Sequence, residues 1–324
     1  MPSPLKKGNL LASFSHLDSC RRIKDQNVDT RKPDITASLY IIEKCTAFAS
    51  RKDFFGCEIL RRKAAEWRIN MAFLKLDFFS EVLGMQTEIN VVIPQRSSAG
   101  EIGVSSNGSS KKYKCLYLLH GLSDDHTIWM RRTSVERYAQ EYGICVVMPN
   151  GAKSFYTDMK YGDKYYTYIS KELPRIVTEF FNVSDKREDN YIAGLSMGGY
   201  GAIKIGMKNC DRFCACAGLS SVADIVGMTD TFKNVYIPIF GENIDIPESE
   251  DLFKIAEKCN QNSNKPRVFM GVGTEDFMYK DNVKLRDKFE SLDFDYVYME
   301  SKGTHCWEFW DEYIQHILKW MLKR

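Results

Sequence analysis

The sequence predicts an α/β fold, with a mostly parallel central sheet and helices on both of its faces. From residue 71 onward, short apolar runs rich in strand-forming residues alternate with patterns typical of helices. Several of these runs are apolar throughout, which indicates strands that are covered on both faces. At 324 residues, the chain is also long enough to bury a sizeable core.

Eight strands are predicted. The first two, residues 73–80 and 85–93, follow each other closely, so we expect an antiparallel pair at the edge of the sheet. A loop rich in Ser and Gly, residues 95–113, joins this pair to the rest of the chain. The other strands are expected at residues 115–120, 144–148, 191–193, 214–219, 267–272 and 295–299.

Helical patterns fall between the later strands, which favours right-handed crossovers. In the first of them, residues 165–180, apolar residues recur at three- and four-residue spacing, and Pro174 should kink or restart the helix. The connection at residues 222–251 is too long for a tight turn, and we expect it to form a small lid. Further helices are predicted at residues 197–208, 281–292 and 308–322.

The first 70 residues differ in character from the remainder. They hold 14 Lys/Arg and 8 Asp/Glu, whereas the other 254 residues hold 31 and 35. They also show little of the alternation typical of strands. We therefore expect a poorly ordered N-terminal extension at residues 1–70, dispensable for catalysis, and a catalytic domain at residues 71–324. The mildly acidic domain gives no electrostatic reason to expect nucleic acid as a partner.

Targeting and metal-binding signals are weak. No stretch approaches the roughly 18 apolar residues of a membrane span, and the apolar run at residues 10–14 is too short for a secretory signal. We expect a cytoplasmic protein whose ten cysteines are reduced. Cys214 and Cys216 lie close to Cys210 in an apolar run, but no second pair of ligands accompanies them, so we expect no metal.

The sharpest functional signal is Gly194-Leu-Ser196-Met-Gly198, which directly follows an apolar strand and directly precedes a helical pattern. This context is typical of a nucleophilic serine held on a tight strand-to-helix turn, where side chains at the two glycine positions would collide. The hydroxyl would then lie at the carboxyl edge of the sheet, above a helix N-terminus. An ordinary Gly-rich turn is the alternative, but the strand and helix on either side favour a nucleophile.

A nucleophilic serine needs a general base, and His305 is the only loop histidine after Ser196. The order Ser, acid, His is that of the α/β-hydrolase fold, which favours His305. The remaining histidines lie in the extension, at a strand end, in an earlier loop and in the last helix: His16, His120, His126 and His316.

The acid should follow a strand between Ser196 and His305. Asp276 directly follows the strand predicted at residues 267–272, and there its carboxylate can orient the imidazole. Glu275 is the alternative. The two backbone donors that stabilise an oxyanion are expected at Met197, directly after the nucleophile, and at Leu122, after the turn that Gly121 permits.

Several stretches of the chain after residue 71 resemble the putative esterase family that includes esterase D, and most closely its tributyrin esterase branch, which also contains feruloyl (cinnamoyl) esterases. They are Leu118-Leu-His-Gly-Leu, Trp129-Met-Arg-Arg-Thr-Ser-Val-Glu-Arg, Ser154-Phe-Tyr-Thr-Asp-Met, Ala193-Gly-Leu-Ser-Met-Gly-Gly-Tyr-Gly-Ala, Gly273-Thr-Glu-Asp-Phe and Gly303-Thr-His. The resemblance implies hydrolysis of short-chain acyl esters through a serine acyl-enzyme, without a cofactor or metal.

Substrate preference is open at this stage. Trp129, Tyr156 and Trp307 are candidates for the substrate pocket, with core packing as an equal alternative. A thioesterase such as an S-formylglutathione hydrolase and an acyltransferase are rival functions on the same fold, and a silent binding module is a third. We expect a small-molecule ester as the partner, with neither membrane nor nucleic acid, and a homo-oligomer is left open.

Overall fold

An eight-stranded sheet forms the centre of the part of the chain that the computed structural model describes, residues 68–97 and 112–322. The strand order is β1-β2-β4-β3-β5-β6-β7-β8. The strands are β1 (Arg68–Ser80), β2 (Met85–Ser97), β3 (Cys115–Leu119), β4 (Cys145–Pro149), β5 (Asn190–Leu195), β6 (Ala215–Leu219), β7 (Arg267–Gly273) and β8 (Tyr296–Ser301).

The strand directions match the prediction. β1 pairs antiparallel with β2 at one edge, β2 pairs antiparallel with β4, and all other neighbours are parallel. All eight predicted strands and the antiparallel edge pair are confirmed. β1 begins at Arg68 and β2 ends at Ser97, so each runs slightly into a region predicted to be irregular. The rest of the predicted extension and most of the predicted 95–113 loop lie outside the described residues.

Nine α-helices connect and cover the strands in the described part of the chain. A π-helical turn, Tyr168–Glu172, joins α3 to α4, and Pro174 is the second residue of α4. The chain stays helical on both sides of this proline, and the predicted disturbance of the helix takes the form of the π-helical turn. The helices are α1 (Ile128–Arg132), α2 (Val135–Tyr142), α3 (Tyr165–Thr167), α4 (Leu173–Phe180), α5 (Met197–Lys208), α6 (Lys233–Phe240), α7 (Leu252–Cys259), α8 (Tyr279–Glu290) and α9 (Trp307–Leu322).

Helices pack on both faces of the sheet. Successive side chains of β3 point to opposite faces: Tyr117 belongs to the core shared with α4, α5, α7 and α8, and Leu118 to the core shared with α2 and α9. Every residue of β3, β4, β5 and β6 is buried, as expected for strands covered on both faces. Among the described residues, no helix is long and apolar enough to cross a membrane.

A buried ion pair fastens the end of the 222–251 segment to α5. The Nζ atom of Lys204, a fully buried residue of α5, lies 2.5 Å from Oε2 of Glu250 and 2.7 Å from Oγ1 of Thr157. Burial lowers the pKa of Lys204 to about 8, so the amine is still protonated at neutral pH. Burial disfavours the Glu250 carboxylate, but Lys204 and Lys208 more than offset this and hold its pKa below the ordinary value.

The parallel strands bring the predicted functional residues to one edge of the sheet. Because β3, β5, β7 and β8 run in the same direction, the loops that follow them all leave at their carboxyl ends. These loops carry Leu122, Ser196, Asp276 and His305. Ligand sites of open α/β sheets lie at this edge.

Candidate active site

Ser196 occupies the tight turn between β5 and α5. Its backbone has φ 53° and ψ −118°, a conformation that L-residues adopt only under strain. Two hydrogen bonds hold it there: the Ser196 N–H donates to the carbonyl of Leu219 at 2.8 Å, and the Ser196 carbonyl accepts from the N–H of Tyr200 at 3.0 Å. The turn therefore raises the serine side chain above the N-terminus of α5, where developing negative charge is favoured.

The two flanking glycines are required by close backbone contacts. A Cβ atom on Gly194 would lie 2.4 Å from the carbonyl oxygen of Gly198, and one on Gly198 would lie 2.5 Å from that of Leu119. Both distances are well inside van der Waals contact and involve backbone, which cannot move aside cheaply. The steric reason inferred from the Gly-x-Ser-x-Gly pattern thus holds in the structure.

The structure brings the three predicted catalytic side chains together. Nε2 of His305 lies 3.0 Å from Oγ of Ser196, and Nδ1 of His305 lies 3.0 Å from both carboxylate oxygens of Asp276. The N–H of Met278 donates to Oδ1 of Asp276 at 2.8 Å, which fixes the carboxylate. With Nδ1–H donated to Asp276, Nε2 is free to accept the proton of the serine hydroxyl.

Two aromatic rings hold the imidazole of His305. The ring of Phe277 lies 4.6 Å away between centroids, and that of Trp310 lies 4.9 Å away and perpendicular. Trp310 is itself fixed, because its indole N–H donates to Oγ of Ser220 at 3.1 Å. These contacts restrict the orientation of the ring that has to face Ser196 and Asp276 at once.

The alternatives considered from the sequence lie elsewhere. Glu275 is exposed and its carboxylate lies 3.9 Å from Nζ of Lys302, whereas the neighbouring Asp276 is buried against His305. His126 pairs with Glu88, His316 lies on α9 near Glu312, and His16 falls outside the described residues.

No metal site accompanies this arrangement in the described part of the chain, where no three His, Cys, Asp or Glu side chains are grouped to hold an ion. Cys214 and Cys216 are buried, and Cys216 belongs to the sheet in β6.

The loop after β3 passes directly against Ser196. A Cβ atom on Gly121 would lie 2.8 Å from the end of the Leu195 side chain and 3.8 Å from Cβ of Ser196, so a larger residue here would require Leu195 to shift. Among the described residues, the N–H groups of Leu122 and Met197 find no acceptor, and both residues border the cavity at Ser196. Two unused N–H groups beside a serine hydroxyl can stabilise an oxyanion.

Hydrogen bonds of two buried residues, His120 and Tyr156, fix the loop after β3. Nδ1 of His120 donates to the carbonyl of Gly121 at 2.7 Å, and its Nε2 accepts from the N–H of Gly151 at 2.9 Å. Burial lowers the pKa of His120, which favours the neutral ring that this pair of hydrogen bonds requires. The hydroxyl of Tyr156 donates to the carbonyl of His120 at 2.9 Å.

A cavity of about 660 Å³ opens at Ser196 and His305. Its size falls within the range of small-molecule sites. Apolar side chains form much of its lining, and two residues of the 222–251 segment supply part of the wall. That this segment is a lid stays a prediction. The apolar lining comprises Leu122, Phe155, Leu195, Met197, Val222, Phe232, Phe277, Trp307 and Trp310, and the charged residues at the cavity are Asp124, Arg132, Lys153 and Glu308.

Of the three aromatic candidates for the substrate pocket, Trp307 lies at the cavity, whereas Trp129 and Tyr156 follow the core-packing alternative. Trp307 lines the cavity, but the other two are not among the described residues that do. Trp129 is almost fully buried, and its indole N–H donates to the carbonyl of Leu119 at 3.0 Å. Tyr156 is fully buried and supports His120. Both side chains point into the protein because a backbone carbonyl there accepts from their polar ends.

Sequence reasoning missed four aromatic residues of the cavity: Phe155, Phe232, Phe277 and Trp310. Phe277 directly follows Asp276 and Trp310 lies one helical turn after Cys306, so proximity to the predicted site could have indicated them. Phe155 directly precedes Tyr156, a pocket candidate, so it had the same signal, whereas only tertiary packing brings Phe232 to the cavity. Phe155 and Phe232 contact each other, with ring centroids 5.5 Å apart.

Residues 80–321 match the family model described as "Putative esterase". The chain belongs to this family. It is similar to an acetyl esterase from Caldicellulosiruptor saccharolyticus, with 30% identity over 265 residues that cover 78% of this chain and 99% of the relative. The resemblance inferred from the sequence motifs is therefore confirmed at the level of the family.

Two solved structures from Staphylococcus aureus are also similar to the chain. The serine hydrolase FphF, described as fluorophosphonate-binding, is 32% identical, with a TM-score of 0.69 and coverage of 78% of this chain and 99% of its own. An S-formylglutathione hydrolase is 34% identical, again with a TM-score of 0.69, and covers 78% of this chain and 100% of its own. The fold of this esterase is that of the α/β-hydrolases, as the sequence predicts.

The role of Tyr156 can be tested with Tyr156→Phe. Loss of the hydroxyl leaves the buried carbonyl of His120 without its donor, so the free energy of unfolding should fall by about 1 to 2 kcal/mol. Activity should fall by the same factor for every ester, because the side chain does not border the cavity. Thermal denaturation and kcat/KM on several esters measure both effects, and Tyr161→Phe, at an exposed tyrosine, is the matched control. A loss of kcat/KM confined to some esters would indicate that Tyr156 lines the substrate pocket.

Proposed function

We propose that the protein is a serine carboxylesterase that hydrolyses short-chain acyl esters, with Ser196 as nucleophile, His305 as general base and Asp276 as the acid that orients His305. One observation carries the proposal: a strained serine at the carboxyl edge of the sheet forms a continuous hydrogen-bonded chain with an imidazole and a buried carboxylate. This arrangement activates a hydroxyl whose own pKa is far too high for it to ionise at neutral pH.

The proposed reaction proceeds through an acyl-enzyme. Oγ of Ser196 attacks the ester carbonyl while Nε2 of His305 takes its proton, and the carboxylate of Asp276 stabilises the resulting imidazolium. The N–H groups of Leu122 and Met197 donate to the oxyanion of the tetrahedral intermediate. His305 then protonates the leaving alcohol, and a water molecule, activated by the same imidazole, releases the acid and regenerates Ser196.

The size and lining of the cavity support a small acyl ester as substrate. Phe155 and Phe232 contribute to the apolar wall near Ser196, and an apolar wall favours an uncharged acyl group. The relative named an acetyl esterase is consistent with a short acyl chain. A feruloyl or cinnamoyl group would have to place an aromatic ring in the same space, and it forms the second substrate class to be tested.

A thioesterase acting on S-formylglutathione is the second candidate function. It is favoured by the 34% identity to the S-formylglutathione hydrolase structure. Arg132 and Lys153 at the cavity can each pair with a carboxylate of a peptide thiol, although Asp124 and Glu308 balance their charge. An acyltransferase would use the same acyl-enzyme but pass the acyl group to an alcohol.

One panel separates these functions. It comprises p-nitrophenyl esters of increasing chain length, tributyrin, methyl ferulate and S-formylglutathione, assayed with a single preparation, with and without an added alcohol. A carboxylesterase should show its highest kcat/KM on the acetyl or butyryl ester and release free acid. A higher kcat/KM on S-formylglutathione would favour the thioesterase, and a new ester formed in the presence of the alcohol would favour the transferase.

Ser196→Ala should abolish hydrolysis of p-nitrophenyl acetate while leaving the fold intact. Loss of the nucleophile of such a triad typically lowers kcat on the order of 10⁴- to 10⁶-fold. The matched control is Ser123→Ala, which removes the other serine hydroxyl of the same cavity and should retain most of the activity. A Ser196→Ala protein that is folded by circular dichroism and keeps about a tenth of the activity would rule out this nucleophile.

Neighbouring carboxylates test the proposed acid. Asp276→Asn should lower kcat on the order of 10⁴-fold, because an amide cannot hold the required tautomer of His305 or stabilise the imidazolium. Glu275→Gln should change kcat little, since that side chain is exposed and paired with Lys302. Steady-state kinetics on one short-chain ester compare the two variants, and a reversed order of the losses would contradict the assignment.

A further inference from the structure

Two thiols face each other at the end of α5 opposite to Ser196. Cys210 lies just after α5, and Cys259 is the last residue of α7. Their Sγ atoms are 3.4 Å apart, although the residues are 49 positions apart in the chain. The Cys210 thiol also donates to the carbonyl of Met207 at 3.0 Å. Neither cysteine has a part in the proposed ester hydrolysis.

The separation of the two sulfur atoms is close to what a disulfide needs. A disulfide has an S–S distance of about 2.05 Å, so the two atoms have to approach by little more than 1 Å. Cys210 lies in the turn after one helix and Cys259 at the end of another. Backbone at helix termini is less constrained than within helices, so it can absorb a movement of this size.

The surroundings of the two thiols give Cys210 a lower pKa than Cys259. Hydrogen bonding from the Cys259 thiol, helped by the nearby Arg187, holds the pKa of Cys210 below its ordinary value despite partial burial. The same hydrogen bond raises the pKa of Cys259, which keeps its proton. Arg187 is fixed in place because its Nε donates to the carbonyl of Cys210 at 2.6 Å.

Both thiols are buried, with Cys210 6% and Cys259 5% exposed, but they lie at the wall of a cavity. Cys210 and Cys259 both line an open cavity of about 1000 Å³, separate from the one at Ser196. Cys115 and Cys145 are partners in register on β3 and β4, but both are fully buried, and so is Cys216. A small oxidant that enters the cavity therefore meets Cys210 and Cys259 and not the cysteines of the sheet.

We propose that Cys210 and Cys259 form an oxidation site that a peroxide converts to a disulfide. The Cys210 thiolate attacks one oxygen of hydrogen peroxide and the O–O bond breaks. Cys210 becomes a sulfenic acid, and the other oxygen leaves as hydroxide, which takes up the proton that the Cys210 thiol had released and becomes water. The sulfur of Cys259 then attacks the sulfenic sulfur, and the Cys259 proton leaves with the departing hydroxide as a second water. Two thiols lose two electrons and two protons, and one peroxide is reduced to two waters.

The cross-link would add a second anchor between α5 and α7. Lys204 and Glu250 already join the two helices near the start of α7, and the disulfide would join their far ends. The loop that it closes contains the whole 222–251 segment, including Val222 and Phe232 of the cavity at Ser196. A closed loop of this length lowers the entropy of the unfolded chain, so oxidation should stabilise the fold.

The test treats the full-length chain with one equivalent of hydrogen peroxide and maps its peptides by mass spectrometry without reduction. We expect a linked pair of peptides that contain Cys210 and Cys259, with a mass about 2 Da below the sum of the two thiol peptides. The melting temperature should rise by about 5 °C and return to its original value with dithiothreitol. Cys210→Ser and Cys259→Ser should each lose both effects.

The matched control is Cys306→Ser, which removes a more accessible thiol and should leave the Cys210–Cys259 link unchanged. Peptide mapping of the unmutated, peroxide-treated chain tests the proposal even if a cysteine variant fails to fold. If Cys210 and Cys259 both remain available to iodoacetamide after treatment, or if the linked peptides contain other cysteines, the proposal is wrong. Because ester hydrolysis is not the readout, this outcome is distinguishable from failure of the proposed esterase function.

Discussion

The tight turn at Ser196 is the constraint on which the rest of the site depends. A non-glycine residue with positive φ is held there only because β5, α5 and the end of β6 fix it through hydrogen bonds to Leu219 and Tyr200. Gly194 and Gly198 let the backbone close on itself, and Gly198 also lets α5 begin directly against the end of β3. The packing that tolerates this strain therefore aligns Ser196 with the loops that carry its partners.

Parallel strands explain why three residues far apart in the sequence meet at this turn. Asp276 follows β7 and His305 follows β8, which are adjacent in the sheet and lie two and three strands from β5. Phe277 and Trp310 pack against the imidazole of His305. Its Nδ1 lies 3.0 Å from Asp276, and its Nε2 lies 3.0 Å from Oγ of Ser196. On the other side of Ser196, the buried and neutral His120 supports the loop that carries Leu122.

Features governed by local pattern were predictable from the sequence, and features governed by tertiary packing were not. The eight strands, α5 and the positions of Ser196, His305 and Asp276 follow from apolar periodicity, glycine spacing and chain order. The shorter helices α1, α2, α6 and α7 were missed, because each has only five to eight residues and helical periodicity is read over windows of roughly 11 or more. Trp129 and Tyr156 lie within motifs, but the motifs do not indicate which way the side chains point. In the structure both are buried, and the polar end of each donates to a backbone carbonyl.

Covalent labelling can show whether Ser196 is the activated nucleophile of this chain. The full-length protein is treated with a fluorophosphonate, which phosphonylates activated serines, and its intact mass and peptide masses are then measured. We expect one adduct per chain, on the peptide that contains Ser196, with a parallel loss of ester hydrolysis and no adduct on Ser196→Ala. An adduct on another residue, or full hydrolysis by a chain that is quantitatively labelled at Ser196, would contradict this role of Ser196.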